Sequence, residues 1–200
     1  MRRKNENRIE EILQSMKTLK FATRRQLQGV HSLQGIRNAQ RILKTMATDE
    51  LLLVTRFSNE NIYYLSKSGA ERIGVKPIKK SIQIDHHLLR NEAWLMLGMP
   101  NWKVESPIKF ALEGKEHNII PDALMITDTL YCIEIDRKQN MIKNRKKFET
   151  YGKLNFIYQA QKGKKIIIKF FTTLKSRKKL IEKLAEEFQV VCEVYVIEDI

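Results

Sequence analysis

Three carboxylates in the second half of the chain have the residue types and spacing of a cation-binding site. Asp122 opens one β-prone segment, and Glu134 and Asp136 close the next one. Side chains two residues apart on a strand point to the same face, so Glu134 and Asp136 should lie together, with Asp122 beside them on a paired strand. Carboxylate clusters suit a hard divalent cation such as Mg²⁺ or Mn²⁺, which activates water and neutralises a phosphodiester during hydrolysis. Asp122 and Glu134 are the candidate metal ligands.

Two other interpretations of the same carboxylates stay open at this stage. They can be the remnant of a metal site on a scaffold that has lost its activity, or ordinary ion pairs with Arg137, Lys138 or Arg90. Burying an acidic group without a partner is costly, so a positive counter-charge is expected in every case.

Basic residues are concentrated at the opposite end of the chain. The 200 residues carry 37 Lys and Arg against 23 Asp and Glu, a net charge of +14. Residues 1–80 hold 17 basic and 7 acidic side chains, a net charge of +10, which leaves +4 for the rest. This segregation predicts two functional units, of which the first binds nucleic acid.

Cysteine usage and hydropathy indicate in which cellular compartment the protein is expected. Cys132 and Cys192 stand in apolar runs without the spacing of metal ligands, which is typical of buried thiols in a reducing, cytoplasmic compartment. No apolar run reaches the roughly 18 residues that a membrane span needs, so a membrane is not an expected partner.

Helical periodicity and turn signals organise the first 76 residues. Helices are expected over 7–19, 24–30 and 33–48, followed by two β-prone runs joined by a turn. Thr23 and Ser32 are the expected N-caps of the second and third helices. Three helices followed by a hairpin form the order of a winged helix-turn-helix, whose last helix enters the DNA major groove.

The third predicted helix has the chemistry of a base-reading surface. Ile36 is expected to face the core, while Gln, Asn and Arg side chains, which pair bidentately with base edges, share the outer face. Basic residues around the second helix and the hairpin would hold phosphates. The predicted contacts with double-stranded DNA are Arg24, Arg25, Gln34, Arg37, Asn38, Gln40, Arg41, Lys44, Arg56 and Lys67. The competing interpretation is a solvated helix face in a winged-helix module that binds proteins.

A linker over 77–84 is expected to separate a DNA-binding domain over 1–76 from an α/β domain over 85–200. The predicted order in the second domain is α-β-β-β-α-β-α-β around a mixed sheet, so the chain as a whole is expected to be of the α+β class. The helix expected from Met141 is basic at its start. Lys143, Lys146 and Lys147 along one side of it would follow a second stretch of DNA backbone or form a solvated face.

The carboxylate region resembles the core of the PD-(D/E)xK nucleases. The resemblance is carried by Pro121-Asp122, then eleven residues, then the acidic element that begins at Glu134. It implies that Asp122, Glu134 and Asp136 are catalytic carboxylates, with Glu92 in the preceding helix as a further acid. These nucleases have a lysine two residues after the second acid, and here that residue is Asp136. The sequence therefore leaves enzymatic activity undecided and favours its absence.

A longer resemblance covers roughly residues 5–140. The segments YYLSKSGAERIG, HHLLRNEAWL, PDALMIT and CIEIDR, in this order, resemble the replication-relaxation proteins of plasmids and mobile elements. In that family a winged helix is fused to a nuclease-like fold, which implies a DNA-binding protein that acts in replication, DNA relaxation or its regulation. The alternatives are a divalent-metal-dependent endonuclease or nickase, and an interaction module that assembles replication or transfer complex proteins. A homodimer is also expected, because winged helices often read paired half-sites.

Overall fold

The computed structural model describes residues 2–78, 83–137 and 140–197. It divides into two compact units, 1–98 and 99–200. Both contain helices and strands, and this mixed content confirms the α+β class. Part of the expected linker over 77–84 lies outside the described residues, as does Lys138, one of the expected counter-charges.

The first unit combines helices with a small antiparallel sheet whose strand order is β1-β3-β2. Its elements are α1 (Arg2–Leu19), β1 (Ala22–Thr23), α2 (Arg24–His31), α3 (Ile36–Thr48), β2 (Leu52–Phe57), β3 (Glu60–Leu65), α4 (Lys67–Arg72) and α5 (Ile84–Met96). Apolar residues at helical spacing, such as Leu13 and Met16 in α1, pack with Leu27 of α2 and Leu43 of α3 to form the core.

Local sequence signals account for the start of α2 and for the hairpin. The Thr23 hydroxyl accepts a hydrogen bond from the Gln26 backbone N–H (3.1 Å), and the Gln26 side chain accepts one from the Thr23 backbone N–H (3.2 Å). This reciprocal capping box confirms Thr23 as the N-cap of α2. Ser58 and Asn59 connect β2 to β3 with positive φ angles of 46° and 65°, as a tight hairpin turn requires.

Two predictions about the third helix are wrong. α3 begins at Ile36 with Gly35 as N-cap, whereas Ser32 ends α2 in the left-handed conformation (φ 48°). The side chain of Leu33 in the intervening turn fills the core position, and Ile36 is 55% exposed. A short turn between the helices therefore shifts the start of α3 by one helical turn and brings Ile36 to the surface.

The predicted helix after the linker lies in the first unit instead of opening the second. The α5 residues Arg90 and Asn91 are buried and hydrogen-bond to the end of α1 and to the connection that follows it. Arg90 Nη2 donates to the Thr18 carbonyl (2.8 Å), and Asn91 Nδ2 donates to the Phe21 carbonyl (2.7 Å). These tertiary bonds place the boundary between the units at residues 98 and 99.

The second unit is built on a mixed five-stranded sheet of order β10-β9-β8-β7-β4. Its elements are β4 (Lys103–Val104), β5 (Ile108–Leu112), β6 (Lys115–Ile119), β7 (Ala123–Ile126), β8 (Leu130–Asp136), α6 (Met141–Lys162), β9 (Ile167–Thr172), α7 (Lys175–Glu187) and β10 (Val191–Val196). The strands β8, β9 and β10 are parallel, β7 and β4 are antiparallel to their neighbours, and β5 and β6 form a separate hairpin.

Both helices of the second unit contribute to one core. Phe148 of α6 and Ile181 of α7 pack with Cys132, Ile168 and Phe170 of the sheet. Because side chains alternate along a strand, Glu134 and Asp136 lie on the same side of β8 as Cys132. The packing of α6 thus determines which side chains meet these carboxylates. Among the described residues, no helix has the length and apolar character to cross a membrane.

Candidate functional site

The first unit gathers predicted DNA contacts around a groove of about 200 Å³. Its lining includes Arg24 at the start of α2, Gln40 of α3 and Arg56 of the β2–β3 hairpin. Arg56 Nη1 donates to Asn61 Oδ1 across the hairpin (3.4 Å), and Arg24 Nη1 donates to Gln28 Oε1 (2.6 Å). Three elements that are separate in sequence therefore present two guanidinium groups and an amide to one concave surface.

The outer face of α3 carries exposed polar side chains, as the sequence predicts. They are Arg37, Gln40, Arg41 and Lys44. Arg41 Nη2 donates to Asn38 Oδ1 (3.0 Å), an arrangement that keeps the guanidinium on this face. Lys67, at the start of α4, is also exposed, and its ammonium lies 3.9 Å from Glu71.

Two predicted contact residues have structural partners within the unit. Asn38 is half-buried, and its Nδ2 donates to the Leu33 carbonyl (3.0 Å), which holds the turn before α3. Gln34 lies in that turn with φ 61°, and its carbonyl accepts a hydrogen bond from the Gln28 side chain. Both residues therefore shape the turn that precedes α3.

Arg25 and Glu92 form a pair that the sequence does not reveal. Glu92 of α5 is 6% exposed and lies 2.7 Å from Arg25 Nη2. Glu92 Oε1 also accepts a hydrogen bond from Gln26 Nε2 (2.7 Å). The acid that the nuclease resemblance assigns to catalysis has its described contacts within the first unit, where it connects α5 to the start of α2.

In the second unit, Glu134 lies at the centre of a buried polar cluster. It is 2% exposed, and both of its carboxylate oxygens have partners. Lys147 Nζ lies 2.5 Å from Oε2, and the Tyr151 hydroxyl donates to Oε1 (2.6 Å). Lys147 and Tyr151 are one turn apart on α6, so a single face of this helix supplies both donors.

The other two carboxylates are held by different groups. Asp122 Oδ2 accepts a hydrogen bond from the Ile135 backbone N–H (2.7 Å), which ties the start of β7 to β8. Asp136 Oδ2 accepts from Arg177 Nη1 (2.5 Å) and from Asn144 Nδ2 (3.1 Å). Asp136 is therefore the buried partner of an arginine at the start of α7.

Electrostatic coupling links Asp122, Glu134 and Lys147. Burial raises the pKa of Glu134 to about 7, with the Lys147 ammonium opposing the shift and the Asp122 carboxylate adding to it. Burial disfavours the charge on Lys147, but the carboxylates of Glu134 and Asp122 outweigh this effect and raise its pKa. Lys147 therefore stays positively charged beside Glu134, whose carboxyl gains a proton near neutral pH.

A family model described as Replication-relaxation matches residues 13–169. The chain belongs to the replication-relaxation family. The matched region begins in α1 and ends in β9, so it takes in the α3 surface and the cluster around Glu134. Among curated proteins and solved structures, none matches the chain significantly. Family membership suggests a role in plasmid replication or relaxation.

In this replication-relaxation protein, the structure adds Lys147 and Arg177 to the counter-charges considered in the sequence. Lys147, predicted to contact DNA, lies against Glu134 with its side chain 29% exposed, whereas Lys143 and Lys146 are exposed. One partner of Asp136 is Arg177, which is 41 positions further along the chain. The spacing of Lys147 and Tyr151 on the apolar face of α6 is the one sequence signal that could have indicated their shared role.

In this arrangement, protein groups hold the carboxylates that were predicted to bind a divalent cation. Carboxylate oxygens are suitable ligands, but Lys147 and Tyr151 occupy both oxygens of Glu134. Within the part of the chain that the structure describes, no group of three or more His, Cys, Asp or Glu residues is placed to hold a metal ion.

Proposed function

We propose that this protein binds double-stranded DNA through its first unit, acting as a winged helix-turn-helix in the replication of a plasmid or mobile element, in DNA relaxation or in its regulation. The observation that carries the proposal is the groove at which Arg24, Gln40 and Arg56 meet. In a winged helix, the corresponding parts are the start of the second helix, the recognition helix and the wing.

Each element has a distinct role in this proposal. The α3 side chains Arg37, Gln40 and Arg41 read base edges, since guanidinium and amide groups form bidentate pairs there. Arg24, Arg56 and Lys67 hold phosphates and set the register of the protein on the duplex. The net charge of +10 over residues 1–80 supports attraction to a polyanion.

Selection of bound duplexes from a random DNA pool tests this function directly. We expect the protein to enrich one sequence motif. A random duplex should compete for the protein much less effectively than a duplex that contains this motif. Enrichment of no motif, with random DNA competing equally well, would contradict sequence reading and favour a module that assembles a replication or transfer complex.

The salt dependence of binding tests the phosphate contacts separately. The logarithm of the binding constant should fall linearly with the logarithm of salt concentration, by about 0.9 per neutralised phosphate. We expect Lys67→Ala to reduce this slope by about 0.9 and to leave the enriched motif unchanged. Lys179→Ala, at an exposed lysine of α7, serves as the charge-matched control and should leave the slope unaltered.

The alternative of an endonuclease has one observation in its favour and one against. Lys147 places an ammonium beside Glu134, so α6 supplies the lysine that the nuclease resemblance requires near the second acid. Against it, each oxygen of Glu134 already accepts a hydrogen bond, from Lys147 or Tyr151, and both donors lie where a metal ion would approach. DNA binding without cleavage is therefore the function that the geometry supports best.

Incubation with supercoiled plasmid and Mg²⁺ or Mn²⁺ distinguishes the two functions. We expect the plasmid to stay supercoiled with the wild-type protein, as judged by gel electrophoresis. Nicking by the wild type that disappears in both Asp122→Asn and Glu134→Gln, and persists in Lys179→Ala, would instead establish an endonuclease.

A further inference from the structure

Ile36 is an apolar side chain exposed at the start of the helix proposed to read DNA. It is the first residue of α3 and is 55% exposed. A single exposed isoleucine is ordinary on a protein surface, so a binding role for Ile36 has to be argued from the residues around it. It lines a groove of about 610 Å³ together with polar and cationic residues of α2 and the following turn, among them Arg24, Arg25, Gln28 and Gln34.

The space beside Gly35, the residue before Ile36, is open. A Cβ added to Gly35, the preceding residue, would meet no atom within 4 Å. Gly35 has φ −69°, so its backbone conformation does not require glycine. The open space beside it leaves the start of α3 accessible. The residues at the N-terminal end of a recognition helix are the ones that contact base edges in the major groove.

We propose that Ile36 contacts the C5-methyl group of a thymine in the DNA site and thereby contributes to sequence specificity. The inference rests on the proposed function, since it names one base that the α3 surface recognises. Thymine is distinguished in the major groove by its methyl group, which is read by apolar contact. The isoleucine side chain has no hydrogen-bonding group, and the arginines around the groove match the charge of the phosphates beside such a base.

Replacing thymine with deoxyuridine tests the contact, because this change removes only the methyl group. In the enriched duplex, each thymine is replaced in turn, and binding of the full-length protein is measured. With the wild type, we expect one position to lose about fourfold in affinity, the ratio that corresponds to burying one methyl-sized group. Ile36→Ala should bind the thymine duplex at least fourfold more weakly and lose no further affinity at that position.

A matched control is available in the second unit. Ile126, at the end of β7, is 63% exposed, and Ile126→Ala should keep the full response to deoxyuridine. Circular dichroism and urea unfolding of both variants show whether each protein stays folded after its exposed isoleucine is replaced.

The outcomes separate this inference from the proposed function. A motif without thymine, or an Ile36→Ala protein that responds to deoxyuridine at every position as the wild type does, overturns the thymine contact alone. A selection that enriches no motif overturns the proposed function and this inference with it. Loss of the response in Ile36→Ala and its retention in Ile126→Ala establish the contact.

Discussion

Replacing Arg37, Gln40 and Arg41 together with alanine is expected to weaken binding to the selected DNA site by more than about 100-fold, because one good bidentate contact with a base discriminates by ~1–3 kcal/mol. All three side chains are exposed on α3, so their removal deletes little packing. The free energy of unfolding should therefore stay within about 0.5 kcal/mol of the wild-type value. Fluorescence anisotropy and urea unfolding measure the two quantities.

The structure changes the choice of residues for this experiment. Asn38 lies on the same helix, but its side chain holds the Leu33 carbonyl, so Asn38→Ala would disturb the turn before α3. Gln40 lines the groove with Arg24 and Arg56 and takes its place in the triple variant.

A charge-matched control separates base reading from general attraction. Lys179→Ala combined with Lys183→Ala removes two positive charges, as many as the α3 variant loses, from exposed positions of α7. This control should lose much less affinity than the α3 variant. Equal losses in the two proteins, or an α3 variant that binds within about threefold of the wild type, would show that α3 does not read the site.

Lys147→Met is expected to lower the free energy of unfolding by about 3–5 kcal/mol at pH 8, the usual cost of leaving a buried charge without its partner. Lys147 is the cationic contact of Glu134, which is 2% exposed. Methionine retains most of the length of the side chain, so the loss reports on charge more than on volume.

The effect should be much smaller at pH 5, and the sign follows from the raised pKa of Glu134. Its pKa is about 7 in the folded protein against an ordinary value of 4.5. The stabilising contribution of the protonated carboxyl is thus fully present below pH 4.5 and is lost as pH rises through 7. Below pH 5, Glu134 is uncharged in both proteins, so Lys147 loses the buried anion with which it is in direct contact.

Urea unfolding at pH 5 and pH 8 measures this difference. Lys146→Met is the matched control, since Lys146 precedes Lys147 on α6 and is exposed. It should change the free energy of unfolding by less than about 0.5 kcal/mol at either pH. An equal loss at both pH values in Lys147→Met would mean that packing of the lysine stem, and not charge, stabilises the cluster.

Local features of this protein were predictable because the interactions that produce them span only a few residues. Thr23 and Gln26 are three residues apart, and their reciprocal bonds define the start of α2. The polar outer face of α3 follows from helical spacing, and the β2–β3 hairpin follows from two β-prone runs and a turn. The two resemblances depended on short motifs of this kind, and the family match confirms the longer one.

Other features depended on residues far apart in the chain. Arg90 bonds to Thr18 across 72 positions, and this contact places α5 in the first unit. Arg177 reaches Asp136 across 41 positions, and Lys147 reaches Glu134 from a neighbouring helix. A sequence shows which side chains need a counter-charge, but the packing of helices onto the sheet decides which cation arrives.

The sequence by itself therefore determined the capped start of α2, the hairpin, the segregated charge and the family. Only the tertiary structure decided that Ile36 is exposed, that Glu92 pairs with Arg25, and that Lys147 and Tyr151 occupy both oxygens of Glu134. The physical reason is the separation along the chain between the residues that interact. Caps and helical faces are determined by neighbours within about four residues, whereas burial and ion pairing depend on how distant elements pack.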